Sequence, residues 1–172
     1  HLGSGEARSF FTRSAAGHID LPRAQAGGMG GGFFAIFTPS NTNRPTPPPE
    51  PAAKPAPGAP HPAYTMPAPP VEQSTALKFT VDMAARLLRI ERDAQGAVKV
   101  VRTADELDRC LADGTFAMIF HIEGAEAIDA DLNALYVLHA AGLRSLGPVW
   151  SRSNVFAHGV PFAFPSSPDT GP

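Results

Sequence analysis

A carboxylate, Glu123, directly follows the apolar run Phe116-Ala-Met-Ile-Phe-His-Ile122 and precedes Gly124. An acidic group at the end of a buried strand stands where parallel α/β folds and barrels put their sites. The glycine beside it allows close approach by a ligand or metal ion. The competing reading is structural: a strand-end glutamate that caps the next helix. Position alone does not separate the two.

His18 and Asp20 form a second candidate. Alternation puts both side chains on one side of an extended segment, and a His-x-Asp after a strand can hold a metal. Here residues 8–17 (RSFFTRSAAG) lack a strand pattern, so the pair has no strand end to sit on. A turn is the better reading, with Asp20 bonding backbone groups ahead of Pro22. The glycines of residues 27–32 (GGMGGG) resemble a phosphate loop only superficially. That motif needs a strand before it, a helix after it and a Lys-Ser/Thr, whereas a strand follows here. Close backbone packing accounts for them better.

Ser151-Arg-Ser-Asn154 follows another strand pattern, with Trp150 and His158 nearby. Arg152 could grip a substrate carboxylate with two donors and Asn154 could orient one. A polar loop with a surface arginine is the equal alternative. His121 lies within a strand and reads as a core or supporting histidine, not a ligand. Cys110, with no basic neighbour except Arg109, reads as packed. No Ser/His/Asp arrangement of nucleophilic type can be assembled, so no catalytic side chain is assigned within the chain.

Regular elements must hold these groups. Residues 33–37 (FFAIF) form an apolar run bounded by glycines and a proline, the pattern of a buried parallel strand. Residues 23–25 suit a short helical turn. A helix is expected over residues 75–95, capped by Ser74 or Thr75 and stopped at Gly96. A short strand covers residues 97–101. Thr103-Ala-Asp-Glu106 is a capping box opening a helix through Leu111, closed by Gly114. A strand over 116–122, a helix over 132–141 and a strand over 143–150 complete a βαβαβ rhythm, that of a parallel α/β sheet.

The composition excludes several classes. Of 172 residues, 14 are Lys or Arg and 16 Asp or Glu, for a formal net charge of −2, which argues against nucleic acid as a partner. The single cysteine excludes an internal disulfide framework and any multi-cysteine metal site. No apolar run approaches the roughly 18 residues of a membrane span. Prolines number 19, and 13 of them fall within residues 39–70. That segment is expected to be a loop or polyproline-like excursion unable to join ladders or helices. The start at His1 and the end in PSSPDTGP raise the expectation of a segment from a longer protein. The lack of a basic-then-apolar leader leans the expectation toward the cytoplasm.

The stretch HIEGAEAIDADLNALYVLHAAGLRSLGPVWSRSN resembles the membrane (renal-type) dipeptidase family, in its bacterial branch. GHIDLPRAQAGGMGGGFFAIFTP is similar to an earlier block of that family, and VFAHGVPFAFPSSPDTGP to a later one. The blocks fall in the family's order and cover nearly all of the chain outside the proline insert. The resemblance implies a metallo-hydrolase barrel in which two zinc ions share a bridging glutamate. With them, water cleaves the amide bond of a dipeptide, often one with a D-residue on its C-terminal side.

The bridging glutamate matches Glu123, whose carboxylate could give one oxygen to each of two metals roughly 3.5–4 Å apart. The family's metal-binding His-x-Asp lies on its first barrel strand, upstream of the block that matches residues 17–37, so His18 and Asp20 match a non-ligating segment. By the same resemblance the later two histidines and an aspartate fall after Pro172. Mammalian members carry a substrate-contacting histidine where this chain has Trp150 or Ser151, so the group that polarises the substrate carbonyl stays open.

The expected architecture is therefore α/β: a partial (β/α)8 TIM-type barrel with about three to four strands present. Residues 1–172 make a single incomplete domain, with the proline-rich loop at 39–70. The expected function is a zinc-dependent dipeptidase with a dipeptide as partner, Glu123 on the metals and Arg152 and Asn154 on the substrate. The intact protein is compatible with a homodimer. This chain alone is expected to be inactive, since one carboxylate cannot hold two zincs and an open part-barrel leaves strand edges bare. The alternative is a non-catalytic barrel relative acting as a binding protein. A weaker one is a PxxP ligand, PTPPPEP, on a small α/β domain.

Overall fold

The computed structural model describes residues 8–40, 64–65, 69–160 and 163–164. Four parallel strands form its main sheet: β1 (Gly31–Phe37), β3 (Val98–Val100), β4 (Phe116–Glu123) and β5 (Leu143–Gly147). Strand β4 is central. It pairs with β1 from Ala117 to Glu123, and its other edge is shared by β3 near the start and β5 near the end. Helices α2 (Gln73–Asp93), α3 (Ala104–Asp113) and α4 (Asn133–Ala141) lie between the strands in sequence, and a short α1 (Leu21–Ala26) precedes β1.

The core follows from alternation. Phe116, Met118, Phe120 and Ile122 of β4 are essentially inaccessible and share one cluster with Val98, Val100, Ala84, Leu87, Leu138 and Phe10. That face is the seat of the helical layer, built by α2 and α4. On the opposite face, among the described residues, α3 covers only the beginning of β4, where Leu107 and Cys110 pack with Ala117 and Ile119. Farther along, His121 and Glu123 are half-buried on that open face. Gly31 is required for the β1–β4 pairing to close, because a Cβ there would strike the Ala117 carbonyl.

Local signals set several boundaries. Thr103 Oγ1 accepts the Glu106 N–H at 3.1 Å, and Gly114 ends α3 in the left-handed region at φ 74°. The Glu106 carboxylate reaches one residue past the expected Thr103 N–H and accepts from Arg102 at 2.6 Å. Helix α3 runs two residues beyond Leu111.

Other expectations are corrected. Helix α2 begins earlier than Ser74, its N-cap Glu72 makes no side-chain cap bond, and the Gln73 side chain instead donates to the Ala127 carbonyl at 2.9 Å. Strand β1 is not buried on both faces, since Phe33 is 65% exposed where the sheet lies uncovered.

Most of residues 39–70 lies outside the described residues. Within it, however, Tyr64–Thr65 forms β2, antiparallel to β6 (Ala163–Phe164). The expectation that no part of this segment joins a ladder is therefore wrong. Both residues keep their N–H donors, and aromatic and β-branched types favour extended pairing. Among the described residues no helix is long and apolar enough to cross a membrane.

Candidate active site

Three strand ends meet around Glu123. In the parallel register it stands opposite Phe37, the last residue of β1, and Gly147, the last residue of β5. The ladder then continues past the strands: the Gly124 N–H donates to the Gly147 carbonyl at 2.9 Å and the Ala125 N–H to the Pro148 carbonyl at 3.0 Å. These bonds fix the chain direction just after Glu123. No described residue donates a hydrogen bond to the Glu123 carboxylate. A carboxylate without such a donor is a suitable oxygen ligand for a divalent cation. Glu123 is thus one candidate donor, and no group of three His, Cys, Asp or Glu side chains converges among the described residues.

Arg152 does not project into solvent. Its side chain is 1% exposed, and its Nε donates to Glu126 Oε1 at 3.0 Å. Nη1 donates to Ser40 Oγ at 3.2 Å and Nη2 to the Thr38 carbonyl. Its Cζ stands 4.8 Å from the centroid of Phe37, which also makes an edge contact with Trp150 at 5.3 Å. The arginine was expected to meet a substrate carboxylate. It meets a carboxylate of its own chain, 26 residues earlier. Substrate contact through these donors would require the internal bonds to be exchanged.

Asn154 is also engaged with its own chain, in a more exposed setting. Its Nδ2 donates to the Pro148 carbonyl at 2.8 Å, while Oδ1 accepts from the Phe156 and Ala157 N–H groups at 2.9 and 3.3 Å. It shapes the loop after β5. Half-exposed Trp150 lies at the base of that loop, where its carbonyl accepts the Val160 N–H at 2.8 Å.

Gly124 has a different role from the expected one. At φ 94°, the place its Cβ would take is filled by the Glu126 carboxylate. The glycine makes room for a protein side chain, not for an incoming metal. Glu126 was not singled out from sequence. The spacing Glu-Gly-x-Glu was its only local signal, and its partner is remote.

His18 and Asp20 are not brought to Glu123's strand end. Asp20 caps α1: Oδ1 accepts the Arg23 N–H at 2.9 Å, and Oδ2 takes the Ser14 N–H at 3.0 Å and the Arg23 guanidinium at 2.6 Å. Burial pushes its carboxyl upward, but these hydrogen bonds outweigh that and hold its pKa below the ordinary value. His121 Nδ1 lies 2.8 Å from Ser145 Oγ, an arrangement made by a bulge in β5 that skips Arg144 and puts Ser145 opposite His121. Cys110 is buried with Val101 and with Ala117 of β4, and that burial raises its thiol pKa.

Comparison with known proteins agrees with this arrangement. The family model for membrane dipeptidase (peptidase family M19) matches residues 5–165. A solved metallopeptidase from Rhodobacter sphaeroides, liganded with a phosphinate mimic of the dipeptide L-Ala-D-Ala, is 48% identical with a TM-score of 0.75. The match covers 92% of this chain and 44% of that one. The solved metallopeptidase described as dipeptidase AC is also 48% identical, with a TM-score of 0.73 over 91% of this chain and 40% of its own.

An uncharacterized protein from the PQQ-III 3′ region of Acinetobacter calcoaceticus is 31% identical, covering 95% of this chain and 48% of the relative. Another, from the pqqA 5′ region of Klebsiella pneumoniae, is 41% identical over 51% of this chain and 32% of the relative. The chain therefore spans half or less of the length of the proteins it matches. Its four parallel strands are part of a TIM-type barrel. The chain belongs to the membrane dipeptidase family, peptidase family M19.

Proposed function

We propose that the whole protein is a zinc-dependent dipeptidase and that Glu123 is the carboxylate shared by two zinc ions. The observation that carries this reading is the position of Glu123: it ends the central strand, between Phe37 and Gly147, without a described hydrogen-bond donor of its own. It stands in a chain 48% identical to a metallopeptidase liganded with a dipeptide mimic. The remaining ligands belong to parts of the protein outside the described residues. What bound metal supplies in such a site is Lewis-acid polarisation of the scissile carbonyl and acidification of the attacking water.

Glu123 gives two oxygens, fixed by the ladder bonds that follow it. Phe37 stands beside it in register, and Trp150 packs edge-on against Phe37. Arg152 and Asn154 hold the surrounding loops. The substrate class is a short dipeptide such as L-Ala-D-Ala.

The test is Glu123→Gln in the whole protein, which preserves size and removes the charge. Bound zinc and hydrolysis of L-Ala-D-Ala should be lost together, with the fold intact by circular dichroism. Retention of two zincs by metal analysis would remove Glu123 from the bridging role. Absence of zinc-dependent hydrolysis in the wild type would favour the non-catalytic relative.

A further inference from the structure

We infer that Arg152 and Glu126 form a positioning pair that sets where Glu123 presents its carboxylate, and thereby sets the protein's affinity for zinc. The inference rests on the reading of Glu123 as a metal ligand.

Stability alone is a poor account of this pair. The Arg152 and Glu126 side chains are 1% and 3% exposed. Taking both charges out of water costs several kcal/mol per ion, and apolar residues of similar volume often do as well or better. What apolar residues cannot do is reach three segments at once with directional bonds. Arg152 follows β5. Its Nε is fixed on Glu126, beyond the end of β4, and its Nη1 and Nη2 are fixed on Ser40 and Thr38, beyond the end of β1. One guanidinium therefore ties together the three strand ends that surround Glu123. A planar fork with fixed donors holds such a junction more tightly than a lysine could.

The glutamate supplies the second half. Only Oε1 of Glu126 has a hydrogen-bond partner, and Oε2 is buried without one among the described residues. The carboxylate packs instead against Gly124, the residue that immediately follows Glu123. On its other side Arg152 stacks over Phe37, the register partner of Glu123. The pair thus braces Glu123 from the residue after it and from the strand beside it. Groups that orient a metal ligand without touching the metal typically change affinity by about 10- to 100-fold when removed.

The experiment uses the whole protein and zinc alone as the probe. Zinc affinity is measured by competition with a chromophoric chelator, and the thermal midpoint of the metal-free protein is measured beside it. Arg152→Lys keeps a charge for Glu126 but loses the fork to Thr38 and Ser40. The double variant Arg152→Met with Glu126→Met removes both charges. Both are expected to bind zinc about 10- to 100-fold more weakly, and the double variant should do so even where its metal-free midpoint equals that of the wild type.

Wild-type zinc affinity in folded Arg152→Lys overturns the inference, and so does affinity in the double variant that recovers together with its thermal midpoint. If the double variant fails to fold, Arg152→Lys decides alone. Zinc binding that is lost in Glu123→Gln but kept in these variants removes only the positioning role. A wild type that binds no zinc through Glu123 removes the proposed function and this inference with it.

Discussion

The Glu126 carboxylate lies against Gly124, in the place where a side chain on that residue would stand. Gly124 is also held at φ 94°, a conformation L-residues rarely adopt. Gly124→Ala therefore meets two penalties at once, backbone strain and overlap with a buried charged group. It is expected to destabilise the whole protein by about 1–3 kcal/mol, read from the midpoint of urea unfolding. An unchanged midpoint would show that the junction after β4 can relax freely.

Acid should unfold the protein through a small set of buttressing carboxylates. Asp20 is held below its ordinary pKa of 3.8 although burial opposes this, because its backbone and Arg23 hydrogen bonds prevail. Asp129 is lowered chiefly by the Ala134 N–H, which donates to it at 2.8 Å where Leu132, the N-cap of α4, offers no side-chain cap. A folded-state pKa below the unfolded one means that the unfolded chain takes up the proton first as pH falls. The stabilisation is thus complete above the ordinary values and is lost as pH falls through the lowered ones. Thermal midpoints should stay level with respect to these groups near neutrality and drop below about pH 4. Asp129→Asn should show a lower midpoint at neutral pH and a shallower acid decline. An acid decline as steep as the wild type's would remove Asp129 from this role.

Cys110 offers a report on the α3–sheet interface. Its thiol is buried with Val101 and Ala117, and burial keeps it protonated by raising its pKa. As the chain's single cysteine, it should react very slowly with an aromatic disulfide reagent in native buffer and quickly in denaturing urea. Rapid native labelling would show that α3 opens away from β4 on its own.

The parts of this architecture that were legible are those that local chemistry dictates. The apolar run from Phe116, the Thr103 cap and the left-handed Gly114 each declare themselves within a few residues. The place of Glu123 at the end of β4 was legible because a strand end is a local event. The surroundings of Glu123 were not, because they depend on partners distant in sequence. Arg152 was read as either a substrate grip or a surface arginine, since nothing near it reveals that Glu126 waits 26 residues upstream. The bulge at Arg144, which pairs His121 with Ser145, depends on register between two strands and leaves no signature in either. Tyr64 and Thr65 were submerged in the prolines around them.

Asp20 and Glu123 make the sharpest contrast, because both were weighed as metal ligands and the structure gives them opposite surroundings. Both Asp20 oxygens are in use, on the N–H groups of Arg23 and Ser14 and on the Arg23 guanidinium. A metal there would have to displace the cap of α1. The Glu123 carboxylate has no described donor to lose. Asp20→Asn in the whole protein is therefore expected to lower the thermal midpoint, since an amide cannot accept all three bonds, while leaving zinc stoichiometry at the wild-type value. Glu123→Gln is expected to do the reverse, leaving the metal-free midpoint near wild type and abolishing zinc binding. Thermal melts and metal analysis on the two variants side by side provide the check. Zinc lost from folded Asp20→Asn would return the His18-Asp20 segment to the metal site, because a cap of α1 has no other route to that result.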